Sequence, residues 1–391
     1  MKITDLQIYV VHSAQHDPAS PAARPWTFVR IDTDAGLAGW GEATNYAGGG
    51  SLLSAHTLAL LREVLVGEDP ADIEMLWHKM YRHYTYLGGR GLPTTAISGV
   101  DIALWDLKGK ALDRPVYDLL GGKVRESVSL YANGWFVGCR TAAEFAAAAV
   151  RAVADGHQAL KLDPFLEMIP HHRAYLSGQL SAAGEEEGCA IVAAIRQAVG
   201  PQIEILIDAH GNYNVPTAVR LANRLYEESR IEWFEEPVPP ESLDALRAVR
   251  QQVQARLCVG ERLFTRWDFL PVFKEGLADY VMPDVVWTGG ISEIKKIATM
   301  AEAYYVPVSP HNAMGALQVV AGAHAMMGVP NFYRLEYSTM AIPAYNAVLT
   351  EDIDFRAGDL YLSDRPGLGV ELDLDYLEAN LHPAWRNREP L

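Results

Sequence analysis

The feature that most constrains this chain is a series of short apolar runs that alternate with longer helical patterns from about residue 128 onward. From the third run onward, the run ends recur every 23–27 residues. One strand, one helix and two connecting loops need about 25 residues. Eight runs can be read, which is the number of parallel strands that closes a (β/α)8 barrel. The predicted strands are residues 128–131, 159–163, 204–208, 231–235, 257–261, 280–284, 306–310 and 332–336.

The rest of the chain predicts a second structural unit. Alternating apolar residues predict strands at 6–11, 26–31 and 37–43, and an apolar stripe at three- and four-residue steps predicts a helix at 95–112. We therefore expect an α+β domain over residues 1–125, the barrel over 126–352, and a terminal segment over 353–391 that returns to the first domain. The wide gap at 164–188 is interpreted as a loop insertion near one end of the barrel.

Composition excludes several classes of function. A net charge of −16 is unfavourable for nucleic acid, which needs clustered Lys and Arg. No apolar run approaches the roughly 20 residues of a membrane helix, and the first ten residues indicate a strand rather than a secretory signal. Only three cysteines occur, without metal-site or disulfide spacing. We therefore expect a cytoplasmic protein that binds neither membrane nor nucleic acid.

Three carboxylates stand where successive apolar runs end: Asp208, Glu235 and Glu261. The carboxyl ends of barrel strands converge on one end of the barrel, the barrel mouth, where active sites lie. Three acids there would repel one another, and a hard divalent cation such as Mg²⁺ removes that conflict. The alternative is that each acid caps the following helix. Their matched positions on consecutive strands favour the metal site.

Two further runs end in Asp284 and His311, which would lie on neighbouring strands. An Asp beside a His orients the imidazole and raises its basicity, as a general base requires. The alternative is a His311 that is satisfied by a backbone carbonyl.

Lys161 and His210 are the remaining cationic candidates at strand ends. Lys161 either extends along the surface, binds a carboxylate, or acts as a base with a lowered pKa. His210 lies two residues beyond Asp208, on the same side if the chain is extended there. It is a candidate acid beside the metal, with a packing role as the alternative.

These residues occur in motifs that resemble the enolase superfamily, and within it the mandelate racemase-like group. The resemblance covers nearly the whole chain, with an N-terminal capping domain, the barrel and a C-terminal segment. The motifs, in chain order, are Val100-Asp101-Ile102-Ala103-Leu104-Trp105-Asp106-Leu107-Lys108-Gly109-Lys110, Lys161-Leu162-Asp163, Asp208-Ala209-His210, Trp233-Phe234-Glu235-Glu236-Pro237, Gly260-Glu261, Pro283-Asp284 with Gly289-Gly290-Ile291, and Pro310-His311-Asn312.

The resemblance implies a role for each strand-end residue. Mg²⁺ would be held by Asp208, Glu235 and Glu261, and the His311–Asp284 pair would be the base. Glu336 would hydrogen-bond the substrate carboxylate or the developing enediolate, and Glu236 would support the site near the substrate. The implied chemistry is removal of the proton next to a carboxylate, with the metal stabilising the charge that develops.

The reaction that follows proton removal depends on two further positions. Racemases of this group carry a second base in a Lys-x-Lys pair, but Asp163 stands at that position and is counted here among the substrate-binding candidates. Similar sugar-acid dehydratases carry an Asp-x-His motif, as at Asp208 and His210. We therefore expect Lys161 to contact the carboxylate and His210 to protonate a departing β-hydroxyl of an aldonate or aldarate. The product would be a 2-keto-3-deoxy acid.

Three alternatives stay open: epimerisation, cycloisomerisation of a lactone, and a barrel that binds metal without catalysis. Loops of the capping domain, residues 16–26 and 45–50, are expected to close over the barrel mouth and to contact substrate through Arg24, Trp26 and Asn45. An ordinary surface loop is the alternative for both. The resemblance also implies a homo-oligomer.

Overall fold

A computed structural model describes residues 1–11, 25–45, 49–169, 177–312 and 315–386. The first domain opens with an antiparallel sheet in the order β1-β2-β3, formed by β1 (Ile3–Val11), β2 (Trp26–Thr33) and β3 (Ala38–Glu42). All three predicted strands are confirmed, with ends shifted by at most three residues. The sheet brings the end of β3 toward the barrel.

The described residues of this domain also form five helices: α1 (Gly50–Ala59), α2 (Arg62–Leu65), α3 (Ile73–His83), α4 (Leu92–Leu112) and α5 (Val116–Leu119), with a 3-10 turn at Thr85–Leu87. The predicted central helix is confirmed as α4, and it begins three residues earlier than expected. It packs closely on β3, because a Cβ added at Gly41 would lie 1.9 Å from the carbonyl oxygen of Gly99. Glycine at Gly41 therefore permits the contact between sheet and helix.

Among its described residues the barrel has seven strands of regular pairing, in the order of the chain: β4 (Val128–Asn133), β5 (Ala159–Leu162), β6 (Glu204–Asp208), β7 (Trp233–Glu235), β8 (Leu257–Val259), β9 (Tyr280–Val281) and β10 (Leu335–Ser338). Neighbouring strands pair in parallel from β4 to β9, and β10 pairs with β4. The closed parallel barrel predicted from the sequence is therefore confirmed.

The predicted seventh strand, residues 306–310, is not a continuous strand. Single bridges join Val308 to Val281 and to Phe332, and a further bridge joins Asp284 to His311. Pro307 and Pro310 have no backbone N–H, so this segment cannot donate a regular ladder of hydrogen bonds. The segment still closes the ring, and it brings His311 beside Asp284.

In the part of the barrel that the structure describes, eight helices follow the strands: α6 (Ala142–Ala154), α7 (Ala182–Val199), α8 (Val215–Ser229), α9 (Leu243–Arg250), α10 (Thr265–Glu275), α11 (Gly290–Ala303), α12 (Ala316–Met327) and α13 (Ile342–Ala347), with a 3-10 turn at Thr339–Ala341. The proposed insertion at 164–188 is shorter than predicted, because its last seven residues belong to α7. The Ser181 side chain accepts a hydrogen bond from the backbone N–H of Gly184 and caps that helix.

The terminal segment contacts both domains. It contains β11 (Asp354–Arg356), β12 (Asp359–Tyr361), α14 (Leu374–Ala379) and α15 (Pro383–Arg386). β12 pairs antiparallel with the start of β4, and the backbone N–H of Leu368 donates to Asp106 of α4 at 2.8 Å. Leu381 bridges to Val11 of β1. In the described part of the chain, no helix combines the length and the apolar character that a membrane span requires.

Candidate active site

Three buried carboxylates meet at the barrel mouth. Asp208 ends β6 and Glu235 ends β7, and the two residues are directly paired in the parallel ladder. Glu261 follows β8 by two residues. One carboxylate oxygen from each lies within 4.8 Å of the other two. We call this group the acidic triad, and the geometry shows that strand ends far apart in sequence converge on one small volume.

Lys161 on β5 is buried among the acids, with a side chain 2% exposed. Its Nζ lies 3.1 Å from Asp208 Oδ2 and 3.0 Å from Glu336 Oε1, and it also pairs with Glu235. Burial alone would lower the pKa of Lys161, but these carboxylates outweigh burial and raise it well above its usual value. The structure thus opposes both the surface position and the role of a neutral base, and leaves Lys161 as a buried cation.

His311 and Asp284 form the predicted dyad. The Nδ1 of His311 lies 2.6 Å from Asp284 Oδ2, and both side chains are buried. Asp284 also accepts hydrogen bonds from the backbone N–H of Val286 and from Gln318 Nε2. With Nδ1 held by Asp284, the free nitrogen Nε2 lies 3.3 Å from Glu261 Oε2 and faces the triad.

The acids around His311 control its protonation. Burial lowers the pKa of the imidazole, but the negative charges of Glu261, Glu336 and Asp284 outweigh burial and raise the pKa to about 9. A cation on the triad would offset this negative charge and favour the neutral imidazole that a base needs.

His210 lies at the other end of the triad, but its backbone is not extended as we assumed. Its φ is 49°, in the left-handed region, and its backbone N–H donates to Asp208 Oδ1 at 2.9 Å. This conformation costs a non-glycine residue on the order of 1 kcal/mol. It turns the imidazole so that Nε2 lies 3.3 Å from Asp208 Oδ2. The side chain is 38% exposed, so solvent or substrate can reach it.

Asp163 contacts His210 on the Nδ1 side of the ring, opposite the nitrogen that faces Asp208. Its Oδ2 lies 3.1 Å from His210 Nδ1, and its Oδ1 accepts the backbone N–H of Phe165 at 3.0 Å. Burial lowers the pKa of His210, but Asp208 and Asp163 outweigh burial and raise it to about 9. Asp163, which we counted among substrate-binding residues, thus contacts the candidate acid directly.

Glu236 points away from the triad. Its carboxylate accepts hydrogen bonds from Arg262 Nε at 2.9 Å and from the backbone N–H of Gly260 at 3.2 Å. Its backbone has a left-handed φ of 43°. These contacts fix the loop that carries Glu261. They favour a Glu236 that supports the metal site over a Glu236 that contacts substrate directly.

Glu336 on β10 is buried and receives several hydrogen bonds. Tyr131 OH donates at 3.0 Å, Asn133 Nδ2 at 2.8 Å and the backbone N–H of Asn312 at 3.1 Å. Lys161 adds an ion pair. Sequence reasoning missed Tyr131 and Asn133, although Asn133 ends the first barrel strand and the rule used for the acids applies equally to an amide.

The three predicted contacts from the capping domain have different outcomes. Arg24 lies outside the described residues, as do residues 16–24 and 46–48 of the two proposed loops. Trp26 is only 4% exposed and packs against Tyr345 of α13, with ring centroids 6.1 Å apart. The backbone N–H of Asn45 donates to Ser51 Oγ at 3.4 Å. Trp26 is therefore part of the packing between cap and barrel, and substrate contact by any of the three stays a prediction.

The donor set fits a hard divalent cation. All three triad residues offer carboxylate oxygen, the ligand type that such cations prefer. Burial and the nearby charge of Asp208 hold the pKa of Glu235 well above its usual value. Trp233 Nε1 donates to Glu235 Oε2 at 3.0 Å and fixes the orientation of the carboxylate. The site thus offers three carboxylate ligands, and a bound cation would favour their ionised forms.

Comparisons with known proteins agree with this architecture. Residues 8–121 match the model of the mandelate racemase/muconate lactonizing enzyme N-terminal domain, and residues 144–376 match the enolase C-terminal domain-like model. D-gluconate dehydratase of Thermoproteus tenax is 37% identical over 355 residues, covering 90% of this chain and 68% of that protein. D-galactonate dehydratase of Variovorax paradoxus is 35% identical over 396 residues, covering 99% of this chain and 97% of that protein. D-galactarolactone cycloisomerase of Agrobacterium fabrum is 33% identical over 392 residues, covering 96% and 98%.

Proposed function

The chain belongs to the mandelate racemase and muconate lactonizing enzyme family of the enolase superfamily, and from that premise we propose that it dehydrates an acid sugar. The substrate would be an aldonate or aldarate, and the product a 2-keto-3-deoxy acid. Two relatives that match 90% and 99% of this chain are named D-gluconate dehydratase and D-galactonate dehydratase. Their names support this class of reaction.

The single observation that carries the proposal is the position of two imidazoles at opposite ends of one acidic triad. His311 Nε2 lies 3.3 Å from Glu261, and His210 Nε2 lies 3.3 Å from Asp208. Dehydration needs a base at the α-carbon and an acid at the β-hydroxyl. A racemase needs a second base instead, and the carboxylate of Asp163 at that position would be a much weaker base than the second Lys of a Lys-x-Lys pair.

We propose Mg²⁺ as the cation held by Asp208, Glu235 and Glu261, because the ligand set is entirely carboxylate. When bound, the cation would stabilise the negative charge that develops on the substrate carboxylate.

The protein residues then perform two proton transfers. His311 Nε2 takes the α-proton, while Asp284 stabilises the imidazolium that forms. The electron pair of the broken C–H bond is first delocalised into the substrate carboxylate, and it then forms a double bond to the β-carbon as the β-hydroxyl leaves. His210 donates a proton to that hydroxyl, which departs as water. The resulting enol becomes the 2-keto-3-deoxy acid when the β-carbon gains a proton and the α-hydroxyl loses one.

The remaining buried groups would hold the substrate carboxylate. Lys161 supplies positive charge beside it, and the Glu336 carboxylate, which Tyr131 and Asn133 orient, holds the Lys161 ammonium in place. Since the Lys161 ammonium pairs with three carboxylates, its proposed role is to bind charge and not to remove a proton. Family membership is also the basis for expecting a homo-oligomer, which light scattering would measure.

Cycloisomerisation of a lactone is the second candidate, because a D-galactarolactone cycloisomerase matches almost the whole chain. That reaction also begins with a proton next to a carbonyl carbon, so His311 would serve both. The position of His210 favours dehydration, because an acid beside the triad is suited to a departing hydroxyl.

The test is a library of aldonates, aldarates and their lactones incubated with the protein and Mg²⁺. Dehydration gives a keto acid that semicarbazide traps, together with the loss of one water from the substrate mass. Cycloisomerisation and epimerisation give isomers of unchanged mass. Isomers without keto acid across the library would overturn the proposal in favour of the second candidate.

A further inference from the structure

The capping domain contacts the catalytic dyad through a residue with no place in the mechanism above. Glu42 ends β3 and is completely buried at the contact with the barrel. Its Oε2 accepts the backbone N–H of Gln318 at 2.9 Å. Gln318 is the third residue of α12, so Glu42 occupies the position of a helix N-cap although it comes from another domain.

The fit between Glu42 and this helix is close. Gly315 precedes α12, and a Cβ at that position would lie 1.9 Å from Glu42 Oε1. A carboxyl oxygen at a helix N-terminus is favourable, because the first N–H groups of a helix have no acceptor within the helix. Any side chain at Gly315 would displace the carboxyl group. The start of α12 is therefore fixed relative to the capping domain.

Gln318 extends this contact to the base. Its Nε2 donates to Asp284 Oδ2 at 2.7 Å, the same oxygen that His311 Nδ1 contacts at 2.6 Å. Gln318 thereby determines which Asp284 oxygen faces the imidazole and where that oxygen lies. The orientation of His311 depends on that oxygen, because Nδ1 must bond to it for Nε2 to face the triad.

The end of β3 also reaches His311 through Trp287, a barrel residue. Trp287 lies against the imidazole, with ring centroids 5.1 Å apart and an angle of 34° between the planes. Its Nε1 donates to the carbonyl oxygen of Thr44, two residues after Glu42, at 2.9 Å. Two neighbouring cap residues thus reach the dyad from two directions.

We propose that the capping domain positions the general base, with Glu42 and Gln318 as positioning residues that act through Asp284 on His311. If β3 moved away from α12, Gln318 and Asp284 would shift and His311 would lose its orientation. Contact between the two domains would therefore be needed for an aligned base. The inference rests on the proposed function in assigning His311 as the base, and it adds residues that would not touch the substrate.

The experiment compares Gln318→Leu and Glu42→Leu with Glu42→Gln, whose amide oxygen can still accept the Gln318 N–H. Both Leu variants should lower kcat about 10–100-fold with KM nearly unchanged, as expected for loss of a residue that orients a catalytic group. The isotope effect with α-deuterated substrate should rise, because proton removal becomes slower. Glu42→Gln should retain most of the activity.

Trp105→Phe is the matched control. It removes a hydrogen bond from Trp105 Nε1 to Ser292 Oγ across the same domain contact, without reaching the dyad. An equal loss of kcat in Trp105→Phe would overturn the proposal, because general loosening of the contact would then explain the effect. Wild-type kcat in Gln318→Leu would also overturn it. Gly315→Ala, which displaces Glu42 without changing it, replaces Glu42→Leu if that variant does not fold.

A readout independent of substrate separates this proposal from the proposed function. In protein labelled with ¹⁵N-histidine, the Nδ1–H proton of His311 can be assigned by its absence in His311→Asn. Gln318→Leu should shift this signal and speed its exchange with water, whereas Trp105→Phe should leave it in place. If the wild-type chain dehydrates no acid sugar, the proposed function fails and the NMR comparison alone decides the positioning role. An unmoved signal in Gln318→Leu overturns that role.

Discussion

His210 and His311 approach the acidic triad from its two ends, each with Nε2 3.3 Å from a different carboxylate. His311 contacts Glu261 and is buried, whereas His210 contacts Asp208 and is 38% exposed. Each imidazole has its Nδ1 against an aspartate, Asp284 for His311 and Asp163 for His210. The two sides thus have the same local design but different access, which suits a buried base and a more accessible acid.

The first prediction separates the two proton transfers. His210→Asn should lower dehydration by about 10²–10⁴-fold, the usual contribution of a general acid, while exchange of the substrate α-proton with D₂O continues. His311→Asn should abolish both. Proton NMR of the substrate measures exchange, and semicarbazide measures the keto acid. His83→Asn, at an exposed histidine, is the control. Loss of exchange in His210→Asn would show that His210 also acts in the first step.

The second prediction concerns Asp163. Asp163→Asn preserves the shape of the side chain but removes the charge beside His210 Nδ1. The imidazole should then hold its proton less firmly, and dehydration should fall about 10–100-fold, while α-proton exchange is kept. The same two assays apply, with the exposed Asp352→Asn as control. If both dehydration and exchange fell together, Asp163 would serve binding of the substrate instead.

The third prediction concerns the cation. Mg²⁺ at about 100 times its Kd should stabilise the folded protein by about 2.7 kcal/mol, because it binds the assembled triad and not the unfolded chain. Calorimetric unfolding should therefore show a higher midpoint with Mg²⁺, and EDTA should abolish activity. Glu235→Gln should lose most of this shift, whereas the exposed Glu241→Gln should keep it. An equal shift in Glu235→Gln would place the cation elsewhere.

The convergence of the triad could be predicted because it follows from one rule. Strand ends in a parallel barrel meet at one mouth, so the order of apolar runs is enough to bring Asp208, Glu235 and Glu261 together. The same rule identified Asp284 and His311, even though the strand expected before His311 is reduced to single bridges. The rule depends on topology, and it tolerates errors in the ends of individual strands.

Contacts that depend on local conformation or on domain packing could not be predicted. His210 was expected beside Asp208 on an extended chain, but it reaches Asp208 through a left-handed backbone, which only a few per cent of non-glycine residues adopt. Glu42 and Gln318 are 276 residues apart, and their contact depends on how the two domains pack. Neither apolar periodicity nor a strand-end rule contains that information.

The last prediction concerns stability and a histidine outside the active site. His324 of α12 is completely buried, its Nε2–H donates to the carbonyl oxygen of Leu368 at 3.0 Å, and its Nδ1 accepts the backbone N–H of Tyr117 at 3.2 Å. It thus joins the barrel, the terminal segment and α5. Both nitrogens have partners only in the neutral form, and burial lowers the pKa to about 4.

The sign of the pH effect follows from this lowered pKa. Between about pH 6.5, the unfolded value, and pH 4, the unfolded chain binds a proton at His324 that the folded chain excludes. The stabilisation is therefore complete above pH 6.5 and is lost progressively as the pH falls toward 4. At pH 5 the loss from this residue should be about 2 kcal/mol.

Urea denaturation of wild type and His324→Asn at pH 7 and pH 5 measures this loss, because Asn does not titrate and the contributions of other groups cancel in the comparison. The variant should be less stable at pH 7 but lose about 2 kcal/mol less on acidification. Equal losses in the two proteins would mean that His324 is not held neutral by the fold.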